Sequence, residues 1–270
     1  MIEPIYPVDV DLPLNIKPIY KRNWKTTESR DHFRDALDAC KRAFYKVEVM
    51  AVNDPDHPRR AALLDESQAD LNSILAMTDT TGSLVRSLGD RGGIIVADER
   101  SALDAVVEAL AQKDDRTLGE LFGYPESAID FYVENVDKSN EVPIYEIACA
   151  SKSAELVDDD PEYVRVTNVD GMVNPIWQYM NWKFISHIPA SFDCVESRAL
   201  AIRSGAYFRE LGLGDEAELL YEFLSANVTW DGYHGLSNIR NGYCIGSTNT
   251  PPYWSKKTVE FGGPHQAKAM

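Results

Sequence analysis

The sequence predicts an α+β protein, with a helical N-terminal half packed on a mixed β-sheet that has two helices from the C-terminal half. Three observations predict it. Apolar residues recur at spacings of three and four through much of residues 29–140, the stripe of amphipathic helices. From residue 143 onward, short runs rich in β-branched and aromatic residues are separated by polar turns, which is the mark of strands. The last fifth, NVTWDGYHGLSNIRNGYCIGSTNTPPYW, crowds Gly and Asn among aromatics and reads as strands joined by ordered loops.

The elements follow in order. Residues 1–28 hold Pro4, Pro7, Pro13 and Pro18 among Ile, Val, Leu and Tyr, which suits an extended arm. So apolar an arm is expected to clasp the body of its own subunit or of a neighbour, so the chain is read as a homo-oligomer. Residues 29–270 are read as a single domain, helix-rich over 29–140 and sheet-containing over 141–270. Phe33, Leu37, Cys40, Phe44 and Val47 form the stripe of a helix over Ser29–Val52. A second helix is expected over Pro58–Met77, with Ala61, Leu64, Gln68, Leu71 and Leu75 on one side. GGIIVADE reads as a buried strand leading into a helix over Ser101–Gln112. Its glycines precede the strand, whereas a phosphate loop follows one, so no nucleotide site is read there. LGELFGYPESAIDFYVENV reads as two short helices broken at Gly123-Tyr124-Pro125, with Ile129, Tyr132 and Val133 inward. PIYEIACAS, EYVRVTN and WKFISHI are expected as strands and DDDPE as a solvated loop. Helices over Cys194–Leu211 and Asp215–Ala226 come next.

Composition bounds the function classes. The 270 residues are 44% apolar and 26% charged, ordinary for a soluble protein with an ample core. Lys and Arg number 27 against 43 Asp and Glu, a formal net charge of −16. Such a surface repels phosphate backbones and anionic headgroups, which argues against nucleic acid and membrane partners. No run approaches the ~20 apolar residues that cross a bilayer. The N-terminus has acids and prolines where a signal peptide needs a basic start and an apolar core, so the expected location is the cytoplasm. Cys40, Cys149, Cys194 and Cys244 form no CxxC pair and are expected as reduced thiols.

Chemistry concentrates at HIPASFDCVES, residues 187–197. Pro189 would end the WKFISHI strand, Asp193 would cap the next helix with Glu196 as the returning member of a capping box, and Cys194 would take the first helical position. Val195, Ala199, Ile202 and Ala206 would be the buried stripe. Backbone N–H groups at a helix start favour a thiolate, so Cys194 with His187 could serve in nucleophilic catalysis. Cys194, His187 and a carboxylate could equally bind a metal. The bland alternative is that Asp193 and Glu196 cap, Cys194 packs and His187 bonds a carbonyl. A second cluster, TWDGYHGLSNIRNGYC, sets Trp230, Asp231, Tyr233 and His234 around two glycines, with Arg240 beyond. Arg240 could grip a carboxylate bidentately or pair with Asp231.

The stretches LGELFGYPESAIDFY, HIPASFDCVES and WDGYHGLSNIR together resemble a poorly characterised prokaryotic and archaeal family of unknown function. Its pattern has a Gly-Tyr/Phe-Pro motif followed by adjacent cysteines, a His-x-Pro-Cys-Ser motif followed by another Cys, and a His-Gly motif near the C-terminus. The likeness covers about 60 residues in three islands. Where that pattern has cysteines, this chain has Ser127, Ala128 and Ala190, and only Cys194 remains. The resemblance implies that the islands converge, and that any metal here is a divalent one held by His and carboxylate, Fe, Mn or Zn, rather than a cluster.

Two functions of different class follow. The first is an enzyme acting on a small polar, amino-acid-like substrate. His187, Cys194 and His234 would be its catalytic residues or metal ligands, and Glu126, Glu196, Asp231, Tyr233 and Arg240 would bind substrate. The second is a non-catalytic binding or interaction protein that keeps the fold of a metal- or thiol-dependent family. Unusual residues at element ends, with Gly-rich backbone around the last cluster, tilt the expectation toward the enzyme.

Overall fold

A computed structural model describes residues 27–79, 81–88, 92–135, 143–167, 169–232, 236–239, 243–246 and 257–262. Residues 1–26 of the expected N-terminal arm lie outside them, and Thr27 and Glu28, its last two, open a helix. The fold is α+β with a mixed sheet, and the chain divides into two compact units, Arg42–Val133 and the remainder on either side.

Residues 42–133 build the smaller unit around a three-stranded antiparallel sheet. Helix α1 (Thr27–Asn53) supplies its second half, followed by β1 (Ala61–Asp65), α2 (Leu71–Asp79), β2 (Leu84–Ser87), β3 (Gly93–Ala97), α3 (Arg100–Gln112), α4 (Asp115–Leu121) and most of α5 (Glu126–Asn135). Strand β3 is central, pairing β1 from Ala61↔Ala97 to Asp65↔Gly93 and β2 from Leu84↔Ala97 to Ser87↔Ile94. On one face Ala62, Leu64, Ile94 and Val96 pack with Val49, Val52 and Ile74. On the other, Ala61, Ile95 and Ala97 pack with Ala102, Leu103 and Val106 of α3. A strand covered on both sides needs apolar residues throughout, as GIIVA has.

The expected helix over Pro58–Met77 is replaced by β1 and α2. Ala61–Asp65 gains a full ladder to β3 that a helix would forgo, and two aspartates divide the segment. Asp65 Oδ1 accepts the Ser67 N–H at 2.8 Å, and Asp70 accepts from the Asn72 N–H and the Ser73 hydroxyl at the start of α2. The break between α4 and α5 falls at Gly123-Tyr124-Pro125 as expected, and its tertiary reason is specific. Gly123 has φ +66°, and a Cβ there would lie 2.5 Å from the Arg59 backbone nitrogen, so only glycine fits. Arg59 itself is buried, its Nη1 2.6 Å from Glu48 Oε1 and its guanidinium 5.8 Å from the Tyr124 ring. Val133 was expected inward and is exposed.

The larger unit carries a six-stranded sheet in the order β4-β5-β9-β6-β7-β8. Its strands are β4 (Ala154–Val157), β5 (Asp160–Thr167), β6 (Val228–Asp231), β7 (Leu236–Ile239), β8 (Tyr243–Gly246) and β9 (Thr258–Gly262). Among the described residues β5 and β9 pair in parallel and the other neighbours antiparallel. The buried face shows Val164, Val166, Val228, Trp230, Val259 and Phe261, alternating along each strand with half-buried polar residues. The helices are α6 (Ile144–Ala150), α7 (Val195–Glu210) and α8 (Gly214–Leu224).

Two further expectations change here. PIYEIACAS forms α6, not a strand, because Ile144, Ile147 and Ala148 at helical spacing bury one face toward β4, β5 and β9. DDDPE is no open loop: Asp158 and Asp159 are the turn of the β4–β5 hairpin and Asp160–Glu162 begin β5. Val157 pairs with Asp160, and Asp158 and Asp159 between them have φ of 54° and 57°, the geometry that a two-residue hairpin loop requires and aspartate tolerates.

Candidate functional site

WKFISHI is not a strand. Residues 181–194 are irregular, beginning at Asn181 with φ 59°. The described strands of the sheet pair among themselves, and the segment is held by side chains instead: Phe184 meets Phe208 of α7 edge-on at 5.8 Å, and Phe192 meets Phe261 of β9 at 4.9 Å. The corner is therefore loop-to-helix.

The helix starts one residue later than the capping expectation. Cys194 occupies the N-cap with φ −65° and ψ 112°, and its side chain makes no capping bond. Asp193 does not cap because its carboxylate is engaged elsewhere, accepting the Lys152 N–H at 3.2 Å. Beside it the Phe192 N–H donates to Ser151 Oγ at 2.9 Å, and that hydroxyl donates to the Ile147 carbonyl at 2.8 Å. Glu196 does not reach back as in a capping box. Its carboxylate accepts the Cys194 thiol at 3.4 Å, and its own backbone N–H followed by that thiol hold it below the usual carboxylate range.

His187 and Cys194 are both buried. His187 Nε2 lies 2.8 Å from Ser197 Oγ, a hydroxyl with no exposed surface. The next residue, Arg198, places Nε 2.6 Å from Asp170 Oδ2, while Asp170 Oδ1 accepts the Met172 N–H. The inward face of α7 is Ser197, Ala201, Gly205 and Phe208, a stripe at i, i+4, i+8 and i+11. The expected stripe of Val195, Ala199, Ile202 and Ala206 is not the buried one: Val195 is 70% exposed, Ala199 is exposed, and Ile202 and Ala206 are half-buried. Ser197 bonds the buried His187, so the inward face of α7 begins with a polar contact that a hydrophobicity count does not register.

The other expected site residues are placed as follows. Glu126 opens α5, exposed, in the smaller unit, whereas the 187–197 corner belongs to the larger one. Asp231 ends β6, half-buried, paired with Leu236 and Thr258. Gly232 follows it because a Cβ would meet the Trp230 ring at 2.7 Å and the Lys257 carbonyl at 2.8 Å. Tyr233, His234 and Arg240 lie outside the described residues. Among the described residues no group of three or more His, Cys, Asp and Glu is spaced to hold a metal ion. Two of the three ligands expected for Fe, Mn or Zn, His187 and Cys194, have hydrogen-bond partners in Ser197 and Glu196.

Sequence reasoning missed a polar row on the half-buried face of the sheet. Arg165 sends Nη2 to Glu260 Oε2 at 2.9 Å and Nε to the same oxygen at 3.2 Å, and the Tyr163 hydroxyl donates to it at 3.0 Å. Burial and then the Glu260 carboxylate raise the Tyr163 hydroxyl above its ordinary range. The alternation of EYVRVT and TVEF signals that these residues share a face, but their partnership across β5 and β9 has no local sequence signal.

Comparison with protein-family models, with curated proteins and with solved structures finds no match. No helix among the described residues is long and apolar enough to cross a membrane.

Proposed function

We propose that this chain is a non-catalytic binding protein for a small polar molecule, one that keeps the fold of a metal- or thiol-dependent family without its chemistry. One observation carries the reading: His187 Nε2, an atom that could take a proton or hold a metal, bonds Ser197 Oγ at 2.8 Å inside the fold. Around that pair, Asp193, Phe192 and Arg198 fasten the corner to Lys152, Ser151 and Asp170. The residues that would perform chemistry thus act as a joint between loop 181–194, α6 and α7. Ser127, Ala128 and Ala190, standing where the resembled family has cysteines, support the same reading. A cytoplasmic homo-oligomer with no nucleic-acid partner belongs to this proposal, on the net charge of −16 and the apolar arm.

The test is metal analysis of the full chain purified without a His-tag, together with the alkylation rate of Cys194. The expected result is no stoichiometric metal and a Cys194 no faster than a free thiol. Stoichiometric Fe, Mn or Zn that disappears in His187→Ala would establish the enzyme or metal-centre reading instead.

A further inference from the structure

On the buried face of the larger sheet, Val164 of β5, Val259 of β9 and Trp230 of β6 oppose one another directly, and Leu156 of β4 extends their row. The first three are buried, whereas Leu156 is 54% exposed. β4 is the outermost described strand on its side, so the row ends there. The neighbouring row on the half-buried face is charged. Glu260, Arg165 and Glu155 oppose one another, with Arg165 Nη2 2.9 Å from Glu260 Oε2 and Nη1 3.4 Å from Glu155 Oε1. Its signs alternate, and it ends at β4 on an exposed carboxylate. A sheet edge of this kind is a template for one more strand. The strand that fits has an apolar residue to set beside Leu156 and, next to it, a cation to set beside Glu155.

We propose that the occupant of this edge is the chain's own N-terminal arm, residues 14–18 pairing antiparallel to β4 with Ile16 opposite Leu156 and Lys17 opposite Glu155. Residues 8–17, VDVDLPLNIK, alternate apolar and polar at every position, the pattern of a half-buried strand, and Lys17 is the cation of that run. In the parallel sense Pro18, not Ile16, falls opposite Leu156. The antiparallel direction also suits the rest of the chain. β4 and β6 run the same way, and Glu155 and Thr229 lie in one cross-strand row, so both strands begin at one end of the sheet. α8 leads into β6 there. Phe33 meets Phe223 at 5.3 Å and Glu216 acts on Cys40, so α1 runs antiparallel to α8 and its first residues lie toward that end. An arm antiparallel to β4 leaves the sheet at the same end. Three strand spacings, about 14 Å, separate β4 from β6, and residues 18–26 extend to ~30 Å. The placement therefore needs no second copy, and any homo-oligomer is left to other surfaces. It does not depend on the small-molecule reading above.

The test uses the full chain carrying Cys149→Ser and Cys244→Ser, which leaves the buried Cys40 and Cys194. Adding Lys17→Cys and Glu155→Cys sets two thiols at opposed positions, where Cα atoms about 4.5–5.5 Å apart satisfy a disulfide. Oxidised glutathione should close that bond within one chain, read as a linked peptide from a monomer. Closure should be about tenfold faster than with Asp9→Cys in place of Lys17→Cys, since proximity sets the effective concentration. A second measurement needs no disulfide. Leu156→Cys should react with iodoacetamide about tenfold more slowly than when Leu14→Asp and Ile16→Asp accompany it, because the arm must open first. Equal rates at Leu156→Cys with and without the arm changes, or equal closure from positions 9 and 17, overturn the proposal. Linkage between two chains overturns the same-chain placement and supports the homo-oligomer reading instead.

Discussion

Replacing Ser197 with Ala deletes one oxygen from a residue with no exposed surface, and its effect separates a structural joint from a catalytic group. In the native corner that oxygen is 2.8 Å from His187 Nε2, and His187 is only 5% exposed. The variant leaves the imidazole nitrogen facing a methyl group, at a cost of about 1–3 kcal/mol for an orphaned buried polar atom. Alanine is the better helix former at this position in the first turn of α7, which returns a few tenths of a kcal/mol. The expected net loss is about 1–2 kcal/mol, close to a tenfold fall in the folding constant. Urea denaturation followed by both far-UV circular dichroism and tryptophan fluorescence measures it as a lower midpoint at constant slope. The double variant His187→Phe/Ser197→Ala should cost less than the sum of the two single changes, with a coupling of about 1 kcal/mol. A Ser197→Ala protein within 0.5 kcal/mol of wild type, or single losses that simply add, would refute the joint.

Three other outcomes are expected. Glu48→Ala removes the carboxylate 2.6 Å from the buried Arg59 guanidinium and should cost about 3–5 kcal/mol, whereas Glu48→Leu/Arg59→Met should restore much of it; an equally unstable double variant would contradict the desolvation argument. In a Cys244→Ser background, iodoacetamide should modify the exposed Cys149 first and Cys40 only on unfolding, since burial and then the Glu216 charge push the Cys40 thiol well above its ordinary range; labelling of Cys40 at the Cys149 rate counts against it. Acid should weaken the fold: the Thr117 hydroxyl and then the Thr117 N–H hold Asp114 below the usual carboxylate range, and Glu196 is held low by its own N–H and the Cys194 thiol. A carboxyl depressed in the folded state contributes stability above its unfolded pKa of about 4, and loses it as pH falls through the folded value. Thermal midpoints should therefore drop below pH 4, less steeply in Asp114→Asn, and a midpoint flat to about pH 2 would exclude these bonds as a source of stability.

Sequence alone determined those elements whose signal is local. The stripe Phe33, Leu37, Cys40, Phe44 and Val47 lies on the buried face of α1, because a 3.6-residue period needs no partner to be read. The Gly-Tyr-Pro break and the strand before α3 were legible for the same reason, and so was the α+β class. Tertiary structure decided whatever depends on a partner distant in the chain. Ala61–Asp65 is a strand because β3 is beside it, and WKFISHI is not: its Phe184 packs edge-on against Phe208 of α7, and the described strands of the sheet pair among themselves. The 187–197 corner was found as a cluster, but what its residues bond was hidden. Asp193 reaches across 41 residues to Lys152, Arg198 across 28 to Asp170, and Ser197 on the inward face of α7 bonds His187. A hydrogen bond between distant residues leaves no periodic trace, and the bonds that fix this corner are of that kind.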